Sequence, residues 1–299
     1  ELRLWKLLKK EVEIEEISIR NATFDTRDFI DGVVVNGHLG ELYLESHGVV
    51  FSPETARINE FSVKNTDVSL TLENMEDTDT TTTEPIYWKI LLDEIDFENV
   101  GFALNMPQDS LFVRTMLPKT TLKDGVIDLK EASYYVKSFD MDNAELAYGP
   151  KEELSLKKIG LQLDSIYYCG RDIRANIEEF VFKERSGLEL VSTEGRIASD
   201  SVLIQIPKFT MKTTASSLDL QTKIGWDVLE MKKTGVLSAK INAEIGKGDV
   251  AKILGGRDTL FLQTYPNKPF VFRADAEGNL NSLRLRTLEA GLAKAFELK

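Results

Sequence analysis

The feature that most constrains this chain is a repeated spacing of apolar residues. Two apolar positions lie three residues apart, a third follows two residues later, and a second apolar pair begins five positions further on, as in Leu92, Ile95, Phe97, Phe102 and Leu104. The spacing begins at residues 14, 39, 58, 92, 117, 136, 156, 177, 206 and 280. Repetition at such intervals is typical of extended β architecture, with two strands of ordinary length in roughly twenty residues.

The two apolar pairs of each repeat are offset by an odd number of positions, so a straight strand would point them to opposite faces. An irregularity must lie between them. The residues found there tolerate left-handed or turn geometry: Asn21, Asn65, Asn99, Asp124 and Asn143. Tight hairpins are the first interpretation and face-flipping β-bulges are the second. Pro118 and Pro207 are expected at the starts of strands, where no ladder donor is lost.

The pattern predicts a mainly β fold, in which repetitive antiparallel hairpins form an elongated curled sheet, an open trough. We expect a capping helix at residues 1–10, the repetitive sheet at 11–225, and further hairpins at 226–299 with a helical insertion near 249–264. A mobile acidic loop is predicted at 73–85, because residues 73–84 carry five carboxylates and no base.

The predicted insertion contains two short helices. Asp249 is expected to cap the first, in which Val250, Ile253 and Leu254 share a face, and Gly255 is expected to end it. A second helix is predicted at 259–264, before Pro266. The stretch from Trp226 to Ile245 is expected to form a hairpin that turns at residues 232–235.

Composition limits the partners of the chain. A net charge of -12 and a pI near 4.9 argue against nucleic acid and against anionic bilayer surfaces. The single cysteine, Cys169, cannot form an intrachain disulfide and is expected to pack as a small apolar residue. The chain begins in mid-pattern without an initiator Met, a signal peptide or a membrane-spanning run, so we expect a segment of a longer protein.

Few residues are suited to catalysis. His38 and His47 lack a cysteine or acidic partner at metal-ligand spacing. Asp77 and Asp79 are spaced like calcium ligands, but the glycine turn and closing Glu of a calcium loop are missing. The run Gly246-Lys247-Gly248-Asp249 is half a phosphate-loop signature and is better explained as the start of a helix. We therefore expect no enzyme activity, catalytic residue, metal or cofactor.

The apolar positions themselves are the candidate site. If the sheet closed on itself or were covered by helices, these positions would be core; if it stays open, they line an apolar trough that can take lipid acyl chains. The candidate positions are Ile17, Ile19, Phe61, Val63, Ile95, Phe97, Phe139, Met141, Phe180, Phe182, Phe209 and Met211.

Three segments resemble repeat units of the AsmA-like family and its TamB-type members. They are LWKLLKKEVEIEEISI at residues 4–19, where a short helix passes into alternating strands, IEEFVFKERSGLEL at 177–190, and AEGNL at 276–280. The resemblance covers most of the chain and is clearest at 1–72 and 156–225. It implies a periplasmic location in a diderm bacterium, as part of a protein whose inner-membrane anchor lies outside this segment.

The resemblance also implies a function in the cell envelope. Such a segment would provide an apolar trough for phospholipid transfer to, or biogenesis of, the outer membrane, and an outer-membrane barrel protein would contact regions outside it. The alternative is a structural scaffold that assists outer-membrane protein assembly and secretion by accepting strands at its sheet edges. A polysaccharide-binding solenoid is less favoured, because most Phe and Tyr residues occupy apolar slots.

Overall fold

The computed structural model describes residues 15–28, 32–51, 54–73, 87–149, 151–231, 235–255 and 257–292. The predicted helix at 1–10 lies outside them. The described chain is mainly β strand, as predicted. The strands are β1 Glu16–Asp28, β2 Val33–Phe51, β3 Glu54–Leu72, β4 Lys89–Met106, β5 Leu111–Asp128, β6 Ser133–Tyr148, β7 Leu154–Cys169, β8 Asp172–Glu184, β9 Glu189–Ser199, β10 Leu203–Thr213, β11 Ser217–Gly225, β12 Leu237–Ile245, β13 Phe270–Asn279 and β14 Ser282–Leu292.

The strands belong to one sheet, in which their order follows the chain from β1 to β14. The described registers are antiparallel except between β3 and β4, which run parallel. A parallel connection needs a long crossover, and the chain between Leu72 and Lys89 supplies it. The acidic loop predicted at 73–85 belongs to this crossover. All of it beyond Glu73 lies outside the described residues, so its mobility stays a prediction.

The chain divides into two compact units, residues 1–155 and 156–299. The first contains β1 to β6, and the second contains most of β7 and all later elements. The boundaries expected from the sequence, at 11 and 226, stay predictions.

The hairpin interpretation of the repeats is wrong. The irregularities lie inside long strands, as the bulge interpretation expects, but the register is the same on both sides of them. The strands are nine to nineteen residues long. The Asn and Asp residues expected in turns lie inside these strands, and each adopts a left-handed conformation. The φ angles are 52° for Asn21, 50° for Asn65, 53° for Asn99, 51° for Asp124 and 54° for Asn143. Apart from glycine, Asn and Asp are the residues that adopt this conformation most readily. The irregular residue returns the apolar side chains that follow it to the face of those that precede it.

The irregular positions of the first unit line up across the sheet. Asn99 of β4 lies level with Asn65 of β3 and with Pro118 of β5, and Pro118 lies level with Asn143 of β6. The expectation that Pro118 and Pro207 start strands is therefore wrong. Pro118 lies inside β5 where the ladder is interrupted on both sides, and Pro207 lies at a register shift inside β10, so neither removes a needed donor.

The described part of the second unit contains three short helices: α1 Trp226–Leu229, α2 Lys247–Leu254 and α3 Thr259–Thr264. The expectation of a hairpin from Trp226 to Ile245 is wrong, because Trp226–Leu229 is helical and β12 pairs instead with β11, which ends at Gly225. The expectation that Asp249 caps α2 is wrong, since Gly246 occupies that position. Gly255 ends α2 in a left-handed conformation, as predicted, and Asp258 caps α3. None of the helices in the described ranges is long and apolar enough to cross a membrane.

Asp249 instead attaches α2 to the sheet. Its side chain is buried and accepts hydrogen bonds from the hydroxyls of Thr213 and of Ser216, the latter at 2.7 Å, in the turn between β10 and β11. Burial raises the pKa of Asp249, but these hydrogen bonds and the nearby ammonium of Lys252 outweigh burial and hold the pKa below its ordinary value.

Candidate functional site

Two apolar rows cross all six strands of the first unit. They follow from the register, because residues directly opposite each other on neighbouring strands point to the same face. The first row is Ile17, Leu44, Phe61, Ile95, Leu122 and Phe139, and the second is Ile19, Leu42, Val63, Phe97, Thr120 and Met141. We call these twelve residues the apolar rows. Eight of the candidates chosen from sequence belong to them.

The bulges keep the apolar side chains on one face along each strand. A methyl group added at Gly125 would lie 3.3 Å from atoms of both Leu122 and Leu92, so these three positions share a side of the sheet. Gly125 and Leu122 are three residues apart, with the left-handed Asp124 between them. The three-residue step in the sequence motif therefore marks an irregularity in the strand. The apolar face extends beyond the rows to residues such as Leu92 and Phe102.

The apolar face is only partly covered. Within each unit, the described elements that contact one another extensively are sheet neighbours or the short helices and the elements beside them. Ile17 is 37% exposed, Ile19 41% and Phe102 38%, whereas Val63 is 8% exposed. The other candidates have intermediate exposure. Phe61 and Phe97 meet edge to face with ring centroids 6.3 Å apart. In the first unit the rows are thus most exposed on β1 and buried at Val63 and Thr120, and no second layer over them is seen among the described residues.

The opposite face of the first unit is charged. A row of alternating sign crosses the same six strands, formed by Arg20, Glu41, Lys64, Glu98, Lys119 and Asp142. The Arg20 guanidinium lies 3.4 Å from the Glu41 carboxylate, and the Lys64 ammonium lies 3.7 Å from that of Glu98. Nearby, a hydrogen bond from Lys123 to Glu94 raises the pKa of Lys123. This face is suited to water, so the apolar rows belong to the other side.

The second unit has a comparable apolar row. Phe209 lies level with Gly195 and Leu220, and the row continues through Ile241, Ala274 and Leu288. Met211 occupies the neighbouring row with Leu218. A methyl group at Gly195 would lie 2.7 Å from the Phe209 ring, so this glycine makes room for the ring.

The phenylalanines of the sequence repeats, among them Phe97, Phe139, Phe180 and Phe209, do not all share one row within their units. Phe97 is the third apolar residue of its repeat and belongs to the second apolar row, whereas Phe139 is the second of its repeat and belongs to the first row. In the second unit, Phe180 pairs with Leu161 and packs against Phe182 at 5.4 Å between ring centroids. Ile177, and not Phe180, lies level with Gly195 and hence with Phe209. Bulges in β7, β8 and β10 displace the residues from the places that a straight ladder would give them.

Sequence reasoning missed the members of the rows on β2 and β5. Leu42 and Leu44 complete the rows on β2, and Thr120 and Leu122 complete them on β5. Both pairs occupy the second and third places of repeats already found in the sequence, those that begin at residues 39 and 117. Extending the candidate site to these two places of every repeat would have included them.

The described residues offer little chemistry for catalysis. His38 approaches Thr23 at 3.5 Å, and His47 is hydrogen-bonded to Asn59. No group of three His, Cys, Asp or Glu side chains among the described residues could hold a metal ion. Asp77 and Asp79 lie outside those residues. Gly246 and Lys247 begin α2, and Cys169 is half-buried at the end of β7.

A cavity of about 590 Å³ lies in the first unit, around Gly101. Its lining includes His38, Asp67, Arg114 and Met116. A methyl group at Gly101 would contact both Asp67 and Met116, which places these side chains together on one face. Met116 alternates with Thr115, which lies level with Phe102 of the apolar face. Most of the cavity lining therefore lies on the side of Gly101 and Met116, and Val68 and Phe102 also belong to it.

Comparison with known proteins assigns the chain to no family. No protein-family model matches the sequence. No curated protein matches it either. The resemblance to AsmA-like repeats therefore rests on the quoted segments alone, and function must be argued from the geometry of the sheet.

Proposed function

We propose that the apolar face of this sheet binds the acyl chains of lipids and shields them from water during transfer within the cell envelope. The observation that carries the proposal is the alignment of the two apolar rows across β1 to β6, partly exposed and backed by a charged opposite face. A soluble protein rarely leaves so continuous an apolar surface without an occupant.

The dimensions of the rows suit an extended acyl chain. Six strands about 4.8 Å apart make each row about 24 Å long, and the two rows lie about 7 Å apart along the strands. Each methylene removed from water contributes roughly 0.8 kcal/mol, so a sixteen-carbon chain gains on the order of 10 kcal/mol from a continuous apolar surface. The binding is passive and needs no catalytic residue.

The resemblance to AsmA-like proteins supplies the biological setting of the proposal. In that setting the segment lies in the periplasm of a diderm bacterium, in a protein anchored in the inner membrane. Its apolar face carries phospholipid toward the outer membrane, or serves the biogenesis of that membrane. A barrel protein of the outer membrane is a partner of regions outside the segment.

A second candidate function is a scaffold for other β proteins. The observation that favours it is the edge strand β14, which has one neighbour in the strand order. Its apolar side chains are well exposed, with Leu283 at 50%, Leu285 at 53% and Leu288 at 48%. An edge strand with such side chains could accept a strand from a client protein.

The lipid proposal is tested with a matched pair of variants. Phe102 on the apolar face and Met116 on the charged face occupy adjacent strands and are 38% and 37% exposed. Purified chain is incubated with phosphatidylglycerol carrying a fluorescent acyl chain, and binding is followed by titration. We expect Phe102→Asp to weaken binding on the order of tenfold and Met116→Asp to leave it unchanged, because only the first places a charge in the acyl path.

Two results would count against the proposal. If neither variant changes the affinity, lipid does not bind on the apolar face. If the unaltered chain binds no lipid but captures an isolated β strand peptide at its edge, the scaffold function is favoured instead.

A further inference from the structure

The helical insertion, residues 246–268, carries apolar side chains that the sheet does not cover. It comprises α2, α3 and their flanking turns, between β12 and β13. Ile253 is 66% exposed, Leu260 73% and Phe261 47%. Two short helices in contact with each other therefore present large apolar groups to the surroundings.

The charge of the insertion is opposite to that of the chain. It holds four basic side chains, Lys247, Lys252, Arg257 and Lys268, against the two carboxylates of Asp249 and Asp258, while the whole chain carries -12. Asp249 is 3% exposed and lies 3.6 Å from the ammonium of Lys252, so these two charges offset each other. Lys247, Arg257 and Lys268 then remain against Asp258. Apolar and basic groups thus coincide in a segment of an otherwise acidic protein.

The insertion is held firmly at the end of the sheet. Asp249 binds the turn at Thr213 and Ser216, and the Tyr265 hydroxyl donates to the carbonyl of Ile245 at 2.9 Å. Phe261 packs against Tyr265 with ring centroids 5.7 Å apart. The exposed side chains are therefore presented by an anchored element, which lowers the entropy cost of docking.

We propose that the helical insertion docks on the surface of a bilayer that contains anionic phospholipid. Short amphipathic helices bind such surfaces by burying apolar side chains at the headgroup boundary while Lys and Arg meet the negative surface potential. A net charge of -12 disfavours bilayer binding for the chain as a whole, and the insertion is the local exception. Docking would hold the sheet beside a membrane.

The exposed apolar side chains around α1 provide a matched control. Leu229 is 53% exposed and Met231 79%. The stretch 226–236 contains two acidic and two basic residues, so it lacks the positive balance of the insertion. If exposed apolar side chains alone caused membrane binding, substitutions at α1 would matter as much as those in the insertion.

Flotation of the whole 299-residue chain with vesicles tests the proposal. One set of vesicles is phosphatidylcholine alone, and the other is phosphatidylcholine and phosphatidylglycerol in equal parts. We expect flotation with the mixed vesicles only, weakened by salt. The variant carrying Leu260→Ser and Phe261→Ser should lower the partition coefficient on the order of tenfold. The variant carrying Lys247→Gln and Arg257→Gln should reduce binding and remove most of its salt dependence.

The control variant, Leu229→Ser with Met231→Ser, should float like the unaltered chain. The proposal is overturned if the chain does not float, if it floats equally with neutral vesicles, or if the control loses as much binding as the insertion variant. The charge variant leaves the apolar side chains in place and so tests the proposal even if the serine variant misfolds. The insertion variants leave the apolar rows unaltered, so their loss of flotation assigns vesicle binding to the insertion, and acyl-chain binding can fail while docking holds.

Discussion

Truncating a phenylalanine on the apolar face distinguishes an open surface from a sealed core. Phe102 lies on β4 between Val68 and Thr115 and is 38% exposed. Full burial of a large apolar side chain contributes about 1.5–3 kcal/mol, so a ring that is about three-fifths covered contributes about 1–2 kcal/mol. Phe102→Ala removes a group that is open to solvent on one side and leaves no enclosed cavity. We therefore expect a loss of about 1.5 kcal/mol, below the 3–5 kcal/mol or so of a sealed site.

Urea unfolding followed by far-ultraviolet circular dichroism measures this loss. Leu92→Ala provides the comparison, because Leu92 lies on the same strand and face but is 7% exposed. It should cost more, about 2–5 kcal/mol. A loss of about 3 kcal/mol or more for Phe102→Ala, equal to or above that for Leu92→Ala, would refute the reasoning and show that the face is sealed.

The other predictions concern the elements that hold the sheet in shape. Asn99→Val should lower the free energy of unfolding by about 1–2 kcal/mol, because a β-branched residue resists the left-handed conformation at φ 53°. Asn99→Gly should change it very little, and thermal melts of both variants against the unaltered chain measure the difference. Asp249 has a pKa below its ordinary 3.8, so its contribution to stability is complete above that pH and is lost as pH falls through the folded-state pKa. The difference in melting temperature between the native chain and Asp249→Asn should therefore stay constant from neutral pH down to the ordinary value of 3.8 and shrink as pH falls further, and a difference that does not shrink below that pH would contradict this.

The β class and the positions of the irregularities could be predicted from sequence, because Asn and Asp recur between apolar pairs with an odd offset. Either a hairpin or a bulge can accommodate this odd offset, and no local sequence feature distinguishes the two structures. Only Asp124-Gly125 has the residue pair that favours a two-residue turn, and even there Gly125 pairs with Leu92 inside the sheet. Long strands form because each neighbour has its bulge at the same level.

The candidate site was predictable in the first unit and less so in the second. Ile95 and Phe139 share a row because β4, β5 and β6 keep their bulges aligned. Between β7 and β10 the register shifts several times, so Phe180 and Phe209 fall in different rows although their places in the repeat are equivalent. The parallel pairing of β3 with β4 depends on the crossover between them, which no short-range pattern indicates.

The exposure of apolar side chains in the helical insertion could not be predicted from the sequence either. Val250, Ile253 and Leu254 have the spacing of an inward-facing helix stripe, yet Ile253 is 66% exposed. The reason is that α2 is fixed by Asp249, a buried polar anchor, rather than by its apolar side chains. Which side of a short helix meets the sheet cannot be read from apolar spacing when a carboxylate makes the decisive contacts.

Photo-crosslinking in cells tests the central claim most directly. A photoreactive amino acid is placed at Phe97 or Phe139 of the apolar rows, and at Met116 on the charged face as the control. Lipid adducts on the irradiated, purified protein are then identified by mass spectrometry. If the apolar face carries acyl chains, phospholipid adducts form at Phe97 and Phe139 and not at Met116. Adducts with protein alone, or lipid adducts of equal yield at Met116, would contradict the account.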